Sequence, residues 1–253
     1  MEADTNNDIL SILVVSDEKV YSWELPEVNV SITLPDKKIE TLNHESTIGS
    51  LFFSGLKHRP FNEFRSISVV GDCVLKDLSV ENDTTIETTT GSISIENLDS
   101  RNLRINATVG SVKVNASMIK DFCAINTITG SSKLVDVAAK NILLSATTGS
   151  IRAKLNNVQT LDCSTTMGSI HTDLFIADTN NAQIKLQSTT GSISSELTGF
   201  SGKFDTRTSF GSSTIYGADT ISTEKNNTFG KIGRSGGILT ALVSTGSLKL
   251  KFN

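Results

Sequence analysis

The sequence predicts an all-β protein: a parallel β-solenoid (β-helix) of about ten to eleven coils of about 19–20 residues, preceded by an N-terminal strand cap. Three observations carry that expectation. A glycine returns at a near-constant step, apolar and polar residues alternate on both sides of it, and helical periodicity is missing throughout.

The glycine closes a Thr-rich approach and is usually followed by Ser. It falls at Gly91, Gly110, Gly130, Gly149, Gly168, Gly191, Gly211 and Gly230, in steps of 19, 20, 19, 19, 23, 20 and 19 residues. Gly49 and Gly71 extend the series upstream and Gly246 extends it downstream, adding steps of 22, 20 and 16. Self-similarity at such a period marks a solenoid, propeller or array.

Around the glycine every second position is apolar or small. Leu103, Ile105 and Ala107 lead to Gly110, Cys123, Ile125 and Thr127 to Gly130, and Ile142, Leu144 and Ala146 to Gly149. Ile93 and Ile95, Val112 and Val114, Ile151 and Ala153, and Ile170 and Thr172 follow their glycines. Alternation over runs this short means strands with one buried face. A glycine between two strands suits a sharp corner with positive φ. Each unit is therefore two strands around a corner plus a polar return such as residues 96–102, and units of this kind bury their inner faces only by stacking coil on coil. A leucine-rich repeat would need a Leu/Asn pattern that is missing. A β-sandwich has strands at similar spacing, but it does not repeat its turn residues in register.

The recurrent TTGS-I-x-I pattern, preceded by WELPEVNVSITLP, resembles the adhesin-like family of domains of unknown function expected to form β-solenoids. The likeness spans about residues 21–253 and weakens at Phe210, Phe229 and Lys231. Its motif is structural, so the resemblance implies a fold and leaves the adhesin-like role as an analogy.

Taken in order, residues 1–45 read as a tail and capping strands, and residues 46–253 as the repeat domain. The tail covers residues 1–7. Apolar residues 9–15 form a strand, and residues 20–25 and 28–34 form two more, divided by Pro26 and closed by Pro35. Residues 8–45 would cover the open edge of the first coil, which otherwise invites pairing by other chains. Residues 56–64 and 177–182 read as loops, the places on repeat proteins where binding most often resides. At the other end SLKLKFN stops without a cap. Lys249 and Lys251 would discourage edge pairing, the edge would instead support self-association with a second copy, or the chain continues beyond Asn253.

Composition narrows the function classes. The chain is 37% hydrophobic but only 6% aromatic, as a thin aliphatic core requires, and its net charge of −4 argues against a general nucleic-acid binder. No run approaches the roughly 18 apolar residues that span a bilayer. Cys73, Cys123 and Cys163 fall on inward positions. The last two sit two coils apart, about 10 Å, beyond disulfide reach. Unpaired thiols and the lack of a secretory signal in MEADTNNDIL lean toward an intracellular location. Sequons at Asn29, Asn82, Asn106, Asn115 and Asn226 match chance for an Asn-, Ser- and Thr-rich chain.

Stacking aligns equivalent side chains into columns. Three residues after the glycine, successive coils present Lys113, Lys133, Arg152 and His171, a candidate ligand-binding stripe for an anionic polymer or carboxylate-rich surface. The competing reading is a solvated face, with Asp173 and Glu196 blunting its field. Two residues before the glycine lie Thr89, Thr108, Thr147, Thr166, Thr189 and Thr228, read as a stacking ladder. The adjoining mixed column of Glu87, Asn106, Asn126, Ser145, Ser164, Gln187 and Arg207 could not present an ice-matching lattice.

Catalysis finds little support. Polysaccharide-acting β-helices need clustered carboxylates as acid, base or Ca²⁺ ligands, yet Asp136, Asp162, Asp173 and Asp205 occupy unlike positions in their coils. His44, His58 and His171 are isolated, and neither a metal motif nor a P-loop occurs. Residues 233–237 spell G-x-S-x-G, but no His follows Ser235 to complete a triad. The sequence thus predicts no catalytic, cofactor-binding or metal residue. It points to a non-enzymatic scaffold that binds a protein or glycan surface, with a polysaccharide-acting β-helix enzyme as the alternative.

Overall fold

A computed structural model of the chain describes residues 2–6, 9–13 and 40–253, divided between two compact units, Met1–Lys37 and Lys38–Asn253. In the first unit Glu2–Asn6 pairs antiparallel with Ile9–Leu13, so the expected tail contains a strand. The strands expected at 20–25 and 28–34 lie outside the described residues. No helix among the described residues is long and apolar enough to cross a membrane.

The second unit is a parallel β-solenoid of about eight turns, fewer than the ten to eleven expected. The shortfall has a physical cause. Gly49 and Gly211 are the outermost corners, and Gly230 is not a corner at all. The other corner glycines stand in one line, with φ between 141° and 154°. At Gly149 the N–H donates to the Met167 carbonyl at 2.9 Å, and a Cβ would collide with the carbonyl of Gly130. Positive φ and a backbone packed against the Cα together admit only glycine.

A second corner lies six residues further on. Asp77, Asn97, Ala116 and Asp136 hold φ of 52°, 57°, 46° and 53°, a region that short polar side chains tolerate best. The return is therefore not wholly polar as expected. It contains a third ladder, in which Leu78 pairs with Leu98 and Val80 with Ser100, all four buried.

Inside, the alternation holds: every residue expected inward on the two main ladders is buried, from Leu103, Ile105 and Ala107 to Ile170 and Thr172. Aromatic clusters close this aliphatic channel at both ends. Phe53, Phe61 and Phe64 meet with ring centroids 5.7–6.3 Å apart near the first coils. Consequently Leu51–Phe61 is a bulged strand where a loop was expected; its register shifts between Leu56 and Phe61 so that Phe61 reaches the core. At the far end Phe252 lies between Phe200 and Phe204, at 5.7 and 5.6 Å.

At that far end stacking order departs from chain order. Gln183–Thr190 and Ile193–Thr198 are followed in space by Gly237–Thr245 and Leu248–Phe252, the last strands of the chain. Gly202–Phe210 and Ser213–Tyr216 stack beyond those. The C-terminal strands thus fill a slot between two earlier coils, and Leu248–Phe252 is paired on both sides, not the free edge that SLKLKFN suggested. The outer side of Gly202–Phe210 is covered by Asn227–Ile232, running antiparallel, and Thr220–Glu224 adds a further antiparallel strand. Gly230 sits opposite Phe204, where a side chain would strike the ring.

Candidate functional site

The predicted stripe forms as a register-locked column. Lys113 pairs with Lys133, Lys133 with Arg152 and Arg152 with His171 along the strands that follow successive corners. Their neighbours Val112, Val114, Leu134, Ile151 and Ala153 point into the core, so pleating sends all four of these side chains outward. The column continues through Ser194 to Lys249. Sequence order hid that last member, because its coil is inserted out of turn.

Several cations elsewhere on the repeat are paired. Lys154 donates to Asp136 at 2.7 Å, Lys185 pairs with Asp162 at 3.2 Å, Lys120 with Asp99 at 3.3 Å and Lys251 with Glu196 at 3.4 Å. The hydrogen bond and charge of Asp136 hold the Lys154 ammonium above its ordinary pKa. Among the described residues Lys113, Lys133 and Arg152 make no ion pair or side-chain hydrogen bond, although like charges facing each other across a ladder repel. At the ladder spacing of about 4.8 Å that repulsion is about 1 kcal/mol per neighbouring pair in water. The charges of the column therefore oppose the stacking of the coils rather than support it.

Beside it runs a second column that sequence reasoning did not single out, one residue after the corner: Ser111, Ser131, Ser150, Ser169, Ser192 and Ser247. From Ser131 onward each backbone N–H donates to the Oγ of the serine one coil earlier. Ser150 reaches Ser131, Ser169 reaches Ser150 and Ser192 reaches Ser169, all at 3.2 Å. The recurrence of Ser after Gly was the visible signal, and corner geometry explains it: a short hydroxyl caps an N–H outside the regular ladder.

The threonine column two residues before the corner is exposed from Thr89 to Thr189. The ladder bonding expected of it belongs to the position one residue earlier. There Thr165 and Ser188 are buried and donate to the Gly149 and Gly168 carbonyls, each at 3.0 Å. The corner interrupts the alternation, so both residues just before the glycine face outward.

The other candidates do not converge. Cys73, Cys123 and Cys163 are free and buried, and desolvation pushes the first two thiols up to about 11 and about 12 and raises the third as well. His44 is half-buried against Ser66 Oγ at 3.0 Å, and that burial lowers its pKa. Ser235 lies in a turn, its N–H donating to Ser201 Oγ at 3.1 Å and the Gly233 N–H to Asp219 Oδ2 at 2.7 Å. Its hydroxyl meets Thr179 at 3.4 Å, in the loop expected at 177–182. Among the described residues no three His, Cys, Asp or Glu side chains are grouped as metal ligands would be.

Residues 5–225 match the family model described as Toastrack DUF4097, a domain of unknown function, and the chain belongs to that family. No curated protein and no solved structure matches it.

Proposed function

We infer that this Toastrack chain is a non-enzymatic binding and structural scaffold, adhesin-like in that it engages an anionic protein or glycan surface through a fixed array of side chains. The observation that carries this reading is the outward column Lys113, Lys133 and Arg152, held in register by three consecutive coils and left, among the described residues, without carboxylate partners while Lys154 and Lys251, two positions along the same ladder, are paired. A site that must meet an external anion keeps its charges free, and a rigid ladder removes much of the ordering cost of binding. His171 and Lys249 extend the same line.

The alternative, a β-helix that cleaves polysaccharide, requires an acid and a base on either side of a glycosidic bond. Asp136 and Asp162 are instead each engaged by a lysine.

A glycan and protein-partner binding screen tests the scaffold reading, with the parent chain beside a K113A/K133A/R152A variant. Partners retained by the parent and released by the variant are the expected result. Equal retention by both proteins would remove the column from the function.

A further inference from the structure

We propose that the face following the corner glycines is a binding site for a linear acidic polysaccharide, one carrying carboxylate or sulfate groups, laid along the solenoid axis. The inference rests on the scaffold reading above and names its ligand class.

Two columns define the site. Lys113, Lys133 and Arg152 present a cation at every ladder step, about 4.8 Å, and Ser111, Ser131, Ser150 and Ser169 run parallel to them about 7 Å away on the same outward face. In each serine that accepts a backbone N–H, one lone pair is occupied and the hydroxyl hydrogen remains free to donate outward. A row of hydroxyl donors beside a row of cations matches a polymer whose repeating units carry both hydroxyls and an anionic group. Charge-assisted hydrogen bonds to the anions would supply the affinity, and the serine row the preference for sugars.

The width of the site selects against other polyanions. On the far side of the cation column Lys154 is neutralised by Asp136, and further up Asp173 pairs in register with Lys154 and Glu196 with Asp173. The positive stripe is thus one side chain wide and bordered by carboxylates. A membrane surface or a nucleic-acid duplex would have to cover those carboxylates as well, whereas a single extended chain need not. Single-stranded nucleic acid gains most from aromatic stacking platforms. Between the Gly110 and Gly168 corners the outward positions of this face are Ser111, Lys113, Asn115, Ser131, Lys133, Val135, Ser150, Arg152 and Lys154, with no Phe, Tyr or Trp.

The test measures binding of the full chain to polygalacturonate and dextran sulfate, which separate carboxylate from sulfate. Neutral dextran, polyglutamate, poly-dT and phosphatidylserine vesicles are the comparison probes. Binding to at least one acidic polysaccharide is expected, weakening about tenfold or more between about 50 and about 200 mM salt. It should fall more than about tenfold in K113Q/K133Q/R152Q and stay unchanged in K140Q/K203Q, which removes exposed lysines elsewhere. S131A/S150A should weaken polysaccharide binding by about three- to tenfold and leave polyglutamate binding unaltered. Circular dichroism melts confirm that each variant is folded. Column-dependent binding to polyglutamate, poly-dT or vesicles without binding to either polysaccharide would overturn the ligand class and leave the anion-binding scaffold standing. Equal binding of all probes by parent and triple variant would overturn both.

Discussion

Between the Gly71 and Gly191 corners each coil lies on the one before it in sequence, whereas beyond Gly191 the chain skips a level, builds the Gly211 coil and an antiparallel pair, then returns to fill the gap. Both regions use the same corner. Gly246 packs on Gly191, and Gly211 on Gly246, as closely as Gly149 packs on Gly130. The contrast separates two kinds of information: the repeat specifies the shape of a coil, and something else specifies its neighbour. At the far end that something is an aromatic fit, in which Phe252 of the last strand fills the space between Phe200 and Phe204.

Substituting a corner gives the largest expected contrast. Gly149→Ala forces a Cβ into the Gly130 carbonyl at φ 147°, and should cost about 3 kcal/mol or more and unfold the whole stack. Gly246→Ala carries the same local conflict but should release mainly residues 199–253, seen as hydrogen exchange confined to that end. Identical global destabilisation by both would mean that the inserted coil is no separate unit. A core pair sharpens the point with a smaller effect. Leu144→Ala and Leu250→Ala both empty fully buried sites and should each cost about 2–5 kcal/mol. The first should shift the denaturant midpoint of the whole protein and the second the protection of the terminal coils alone.

The second corner offers a gain. Ala116 stands at φ 46° in a column otherwise containing Asp77, Asn97 and Asp136, so Ala116→Gly should stabilise by about 1 kcal/mol in denaturant titration. The smallest effect belongs to the first coils. Burial holds the His44 imidazole below its ordinary 6.5, so the unfolded chain binds the proton more tightly. Its contribution is full above about pH 6.5 and is lost as pH falls through that value toward the lower folded-state pKa. His44→Gln should flatten the difference in unfolding free energy, read from denaturant titrations, between about pH 7.5 and about pH 5, by less than about 1 kcal/mol.

Much of the candidate site was legible because it obeys the repeat. Lys113, Lys133, Arg152 and His171 sit at one offset from successive glycines, and parallel register turns equal offset into adjacency. Lys249 shares the offset, but its place depends on the insertion, which no spacing rule reveals. The 56–64 segment was misread for a related reason: His58 and Pro60 look like loop residues, while Phe61 and Phe64 are drawn into the core by ring packing with Phe53. Gly230 kept the period of the corners without their geometry, being small to admit Phe204.

The sequence alone determined the cross-section of a coil, because a glycine held at positive φ and a two-residue alternation are constraints each short segment meets by itself. Tertiary structure alone decided which coil lies beside which and which column ends up outermost. Every coil edge offers the same backbone donors and acceptors, so only side-chain fit and the reach of the connecting chain can choose among them.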